Sequence, residues 1–176
     1  MKKKLSEMSL EELWRLFPIQ LRPHNPCWNQ WYQEEFERLK KTLPESVRIH
    51  HIGSTAVPDI LAKPIIDILI EAAITDFNRI DSILLRSGYL CMNTEEKRRD
   101  FNKGYTEDGF ADRVFHLHLR EFGDHDEIFF RDLLRARPDI AAQYEVLKIS
   151  LWKQFEFNRD AYTAGKRDFI RKQSDK

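Results

Sequence analysis

A glycine–serine pair, a lone carboxylate and two histidines are the residues of this sequence best suited to chemistry. Gly53-Ser54-Thr55 heads the stretch HIGSTAVPDILAKPIIDILI, His51 to Ile70, and Asp67 sits in its apolar end, Ile65-Ile66-Asp67-Ile68-Leu69-Ile70. A glycine lets backbone approach a ligand closely, and successive N–H groups at such a turn bind phosphate. The Ser54 hydroxyl adds a donor, and Thr55 is counted with it as a phosphate contact. A buried carboxylate without a partner is costly or protonates instead. Asp67 therefore has a partner or faces a cleft. If its strand brings it to the turn, a divalent cation can sit between carboxylate and phosphate. Phosphates held by backbone, metal held by carboxylate and an acceptor placed in line are what nucleotidyl transfer requires. The residues alone leave the plain alternative open: an ordinary turn, and a strand Asp bonded to neighbouring backbone.

In DRVFHLHLRE the alternation puts Phe115, Leu117 and Leu119 on one strand face and Val114, His116, His118 and Arg120 on the other. Two imidazoles on one face suit metal ligation or simply a solvated sheet face. Asp67, His116 and His118 are the candidate catalytic and metal-binding set. The cation expected is Mg²⁺ or Mn²⁺, with Zn²⁺ as the alternative. Lys63 precedes the Asp67 strand and could meet phosphate or pair with Asp67. Arg98 and Arg99 lie on opposite strand faces, so one should reach the site; Arg99 is assigned the phosphate contact, for which a guanidinium is suited. His50 and His51 also alternate, and one of them is expected to form a cleft wall.

Several elements must position these groups. Ser9 and Glu12 form a capping box for a short helix ending near Phe17-Pro18. Apolar residues spaced by three and four predict a helix over Trp28 to Leu43. VRIHHI reads as a strand, followed by the Gly53-Ser54 turn. A second strand, from Pro64 to about Glu71, is apolar enough to be buried on both faces. A helix capped at Thr75 or Asp76 ends at Gly88. Strands are expected at Tyr89–Met92, Arg99–Gly104 and Asp112–Arg120. Helices follow over 124–137, over 138–157 with Pro138 in the first turn, and over 160–172. The fold class is α+β: a mixed sheet with flanking helices and a helical C-terminal subdomain. Residues 1–176 are read as one domain, with an α/β core over about 20–122 and a helical tail over 123–172.

The 176 residues suffice for a real core, and 41% hydrophobic with 33% charged residues excludes disorder. Lys+Arg and Asp+Glu balance at 29 each, so broad electrostatic binding to nucleic acid is not expected. Asp67 and Glu71 interrupt the best apolar run, so no membrane span is expected. The basic start MKKKLSEMSL lacks the apolar stretch of a signal peptide. Cys27 and Cys91 lack metal-type spacing and read as reduced thiols of a cytoplasmic protein.

The stretch from His51 to Ile70 resembles the signature of the GrpB family, in the nucleotidyltransferase superfamily with the DNA-polymerase-beta-like fold. RRDFNKG from Arg98, HLHL from His116, FRDLLRARP from Phe130, YEVLK from Tyr144 and AYTAGKRDFI from Ala161 are similar to it too, in order, over about residues 20–172. The resemblance implies a metal-assisted nucleotidyltransferase acting on a nucleoside triphosphate. Its partner would be a nucleotide or another phosphorylated small molecule. Gly53, Ser54 and Asp67 match the superfamily pattern. The second carboxylate position is occupied by Leu69, and Glu71 lies roughly 13 Å further along the strand. This departure favours the alternative of a binding or regulatory module that has lost catalysis; a metal-dependent phosphohydrolase is a third reading. The matching tail motifs imply phosphate or nucleotide contacts for Arg131, Tyr144 and Lys148. A scaffold without ligand would not cluster Asp67, His116 and His118.

Overall fold

The molecule, described from a computed structural model over residues 3–174, is an α+β fold around one mixed sheet. Met1, Lys2, Asp175 and Lys176, which the single-domain expectation includes, lie outside the described residues. The helices α1 (Leu10–Leu16) and α2 (Cys27–Thr42) come first, then strands β1 (Arg48–Ile52) and β2 (Ile66–Ala72). Helix α3 (Phe77–Arg86) leads to β3 (Leu90–Thr94), β4 (Arg98–Thr106) and β5 (Gly109–Glu121). Helices α4 (Asp126–Ala136), α5 (Pro138–Phe155) and α6 (Arg159–Ser174) complete the chain.

Local chemistry explains most boundaries. The Ser9 hydroxyl accepts from Glu12 N–H at 3.2 Å and Glu12 returns the bond to Ser9 N–H at 2.7 Å, closing the capping box. Strand β2 begins at Ile66 rather than Pro64, since proline has no N–H for the ladder. Helix α3 begins at Phe77 after a 3-10 turn over Ile74–Asp76, and Gly88 (φ +84°) ends it in the left-handed region.

Sheet order is β1-β2-β5-β4-β3, with β2 and β5 parallel and every other pair antiparallel. Period-two alternation gives the central strands two different faces. Ile66, Ile68 and Ile70 of β2, Phe101 of β4, and Phe115, Leu117 and Leu119 of β5 pack with Trp28 and Leu39 of α2 and Phe77, Ile80 and Leu84 of α3. The opposite face carries Asp67, Asp100, His116, His118 and Arg120 and is covered by the last three helices, whose own core joins Leu134, Ile140 and Tyr144 to Val57 and Ile60. Leu69 is fully buried on that second face. No helix among the described residues is long and apolar enough to cross a membrane.

Candidate functional site

The parallel register of β2 and β5 sets Asp67 beside His116 and Leu69 beside His118, and β4 sets Asp100 beside His118. The alternation read from DRVFHLHLRE therefore brings Asp67, His116 and His118 together. Asp67 Oδ1 lies 3.3 Å from His116 Nδ1 and 3.6 Å from His118 Nε2. Burial alone would raise the Asp67 carboxyl; the two imidazoles beside it reverse this and hold it well below the usual carboxylate range.

Each imidazole has polar neighbours at both ring nitrogens. His116 Nε2 is 2.9 Å from Arg159 Nη2 and 2.7 Å from the Tyr105 hydroxyl. Arginine can only donate, so Nε2 is the acceptor and Nδ1 carries the proton given to Asp67. Burial lowers His116 to about 4, which keeps it neutral. His118 bridges two acids: Nδ1 is 2.8 Å from Asp100 Oδ1 and Nε2 faces Asp67. Burial opposes its charge, but Asp100 and then Asp67 outweigh it and raise His118 to about 9. Among the described residues no group of three or more His, Cys, Asp or Glu side chains is arranged to hold a metal ion by itself. The histidines hold Asp67 and Asp100 ionised and oriented. A carboxylate is a hard oxygen donor of the kind Mg²⁺ and Mn²⁺ take, and these cations need few protein ligands.

The Gly53 turn lies directly against Asp67. Gly53 has φ +70°, and a Cβ there would collide with Asp67 Oδ2, so both backbone conformation and space require glycine. A 3-10 turn over Ser54–Ala56 follows. Lys148 of α5 donates to Ser54 Oγ at 3.1 Å and to the Leu61 carbonyl. The Ser54 oxygen thus accepts, leaving its hydroxyl proton free to donate. Thr55 is buried, within 3.0 Å of His51 Nε2 and 3.4 Å of the Ile65 carbonyl.

Two adjoining lobes open above these groups, of about 740 and 460 Å³. Gly53, Ser54, Asp67, His118 and Tyr144 line both. The smaller lobe is cationic, with Lys63, Lys148, Arg159 and Lys166 facing Asp67 and Asp100. Burial is the main cause that lowers Lys148 to about 7, helped by the charge of Lys166. Burial likewise lowers Lys166 to about 8 and drives Lys63 well down.

The other expected residues divide. Arg131 lines the larger lobe, yet its Nη1 donates to the His51 carbonyl at 2.8 Å and its Nε to Asp132 at 2.8 Å. Tyr144 lines both lobes with its ring packed on Phe130 and Phe169, at 5.1 and 5.5 Å between centroids. Arg99 is corrected: it lies on the α3 face, paired with Asp81 and 5.3 Å above the Phe77 ring. Arg98, on the other face, lines the larger lobe. The shared parity of Arg99 with the apolar Phe101 was the signal for this. Neither His50 nor His51 walls the cleft. His51 stacks on Tyr32 at 4.5 Å, and His50 joins His125 on the buried Glu71, at 2.8 and 2.7 Å. Sequence reasoning missed Asp100, whose alternation with Phe101 put it on the Arg98 face, and did not use Arg159.

Residues 18–176 match the family described as GrpB protein. The UPF0157 protein YqkA of Bacillus subtilis is 36% identical, over 96% of this chain and 50% of that protein; the chain thus spans half the length of that relative. The UPF0157 protein SCO7215 of Streptomyces coelicolor is 33% identical, over 86% of this chain and 80% of its own length. Among solved structures, conserved protein GrpB from Enterococcus faecalis is 29% identical, with a TM-score of 0.67 over 88% of this chain and 99% of that one. Cid1 in complex with the UTP analog UMPNPP is 12% identical, with a TM-score of 0.52 over 82% of this chain and 45% of that one. At that identity the match shows the fold alone, that of the nucleotidyltransferases.

Proposed function

This chain belongs to the GrpB family, and we propose that its cleft binds a nucleoside triphosphate for metal-assisted nucleotidyl transfer. The observation that carries this reading is a lobe lined by three lysines and an arginine, Lys63, Lys148, Lys166 and Arg159, closed by a glycine turn pressed on Asp67. Cations at this density, partly stripped of water, need a polyanion. The triphosphate lies along Lys148 and Lys166, with the Ser54 hydroxyl donating to it and Gly53 permitting its approach. Asp67 would hold Mg²⁺ or Mn²⁺, which supplies neutralisation of phosphate charge. His116 and His118 keep Asp67 ionised, and His118 of β5 ties it to Asp100, a second acid from β4 on the far side of β5. Cid1, of the same fold, is described in complex with a UTP analog, which supports a nucleotide ligand. The exposed, free Cys27 and Cys91 support a reducing cytoplasm.

Leu69 favours a second reading, a module that binds the nucleotide without transfer. Release of pyrophosphate in the presence of a cell-extract acceptor separates the two.

Titration calorimetry against pH tests the binding. Lys148 and Lys166 sit near 7 and 8 in the free protein. A bound polyanion favours their protonated forms, so binding takes up protons where the free lysines are partly neutral. Affinity is therefore highest at and below about pH 7 and falls as pH rises to 9. Between pH 7 and 9, buffers of different ionisation enthalpy should report net proton uptake. Affinity that is flat or rises over this interval would contradict the placement of the phosphates.

A further inference from the structure

The larger lobe presents two guanidiniums that the fold itself does not use. Arg167 and Arg171 lie one turn apart on α6, so they share a helix face, and both line that lobe. Arg167 is exposed and has no hydrogen bond or ion pair among the described residues. Arg171 meets Asp168 at 3.4 Å with both side chains well exposed, a contact worth little. The other arginines of the lobe are committed. Arg98 is held by Asp124 at 2.7 Å and Asp126 at 3.2 Å, and Arg131 by the His51 carbonyl and Asp132. The lobe also offers the apolar surfaces of Phe130 and Ile170 and extends to Ser54 and Asp67. At about 740 Å³ it has the size of a small-molecule site. Two uncommitted guanidiniums beside apolar surface match a dianion carried on an apolar or aromatic body.

We propose that the larger lobe binds the acceptor of the transfer, a small hydroxyl compound whose apolar or aromatic body bears a phosphomonoester gripped by Arg167 and Arg171. This rests on the nucleotide-binding reading above. With the triphosphate along Lys148 and Lys166 in the smaller lobe, the larger one is left for a second ligand. Gly53, Ser54 and Asp67 line both lobes and mark where the two ligands meet. A phosphomonoester carries close to two negative charges at neutral pH, which two guanidiniums neutralise; a carboxylate carries one. In the transfer, the acceptor hydroxyl oxygen bonds to the α-phosphorus, and the bond from that phosphorus to the leaving pyrophosphate breaks. The hydroxyl proton passes to water.

The experiment titrates phenyl phosphate into protein already saturated with inorganic tripolyphosphate, which occupies the smaller lobe. Phenyl phosphate should bind saturably and about tenfold more tightly than benzoate. Arg167→Gln and Arg171→Gln should each weaken it about tenfold and weaken tripolyphosphate much less. Arg86→Gln makes the same change of net charge on α3, across the sheet, and should leave phenyl phosphate binding as it is. All three arginines are exposed, so these variants keep the fold. The proposal is overturned if phenyl phosphate does not bind, or if Arg167→Gln and Arg171→Gln weaken it no more than Arg86→Gln does. It is also overturned if tripolyphosphate displaces phenyl phosphate, since the two would then share one site. Displacement by a nucleoside triphosphate but not by tripolyphosphate would overturn it too, by giving the larger lobe to the nucleobase. If tripolyphosphate itself fails to bind, the nucleotide-binding reading falls and the proposal with it, a result distinct from the others.

Discussion

Replacing Asp67 by Asn should abolish the dependence of nucleotide affinity on divalent cation. In the wild type, Asp67 opposes the phosphates when no cation is present and attracts the cation when one is. With Mg²⁺, the variant should bind a triphosphate about 100-fold more weakly, the loss expected when a site loses the charge that holds its metal. In EDTA the sign reverses. Removing one negative charge near the phosphates relieves at least about 1 kcal/mol of repulsion, so metal-free affinity should rise about fivefold. Structural collapse cannot mimic this pair of results, because collapse weakens binding in both buffers. The amide oxygen of the Asp67→Asn side chain can still accept from His116 and His118, which sit within 3.3 and 3.6 Å of the carboxylate. An equal Mg²⁺ dependence in variant and wild type would remove Asp67 from the cation's coordination.

The second large effect concerns stability. Glu35 of α2 is a carboxylic residue only 2% exposed. Its Oε1 accepts from the Tyr89 hydroxyl at 2.9 Å and from Lys103 Nζ at 2.9 Å, and Oε2 lies 3.3 Å from Arg38. Lys103 in turn lies 4.9 Å above the Tyr89 ring. Glu35→Ala leaves a largely buried ammonium and a buried hydroxyl without their acceptor. The expected cost is about 3–5 kcal/mol, or a fall in melting temperature of about 6–20 °C for a chain of this length. Denaturant unfolding measures it directly. Adding Lys103→Met should recover part of the loss, since the orphaned charge goes with it. A loss of less than about 1 kcal/mol for Glu35→Ala would mean that this buried pair is no anchor.

These two residues mark how far the sequence could be read. Asp67 was legible because it interrupts an apolar run, and its partners because His116 and His118 alternate with Phe115, Leu117 and Leu119. Period-two patterning is local and survives in one sequence. Glu35 was not legible: its partners stand 54 and 68 residues away, and a helical glutamate with a buried long-range partner looks like any solvated one. Arg99 was misplaced because which strand face meets the cleft depends on sheet pairing. The apolar Phe101, two residues on, marks the core face, and the same parity would have chosen Arg98 and Asp100. The helices of the tail followed from spacing and from Pro138, but their packing over the sheet joins residues distant in sequence. Arg159 reaches Tyr105 and His116 only through that packing.

Titration of the wild-type protein with each nucleoside triphosphate, in Mg²⁺ and again in EDTA at pH 7, tests the central claim most directly. The account predicts saturable binding of at least one triphosphate in both buffers, tighter with Mg²⁺, because the lysines of the smaller lobe hold the phosphates and Asp67 holds the cation. No binding of any triphosphate in either buffer would contradict it.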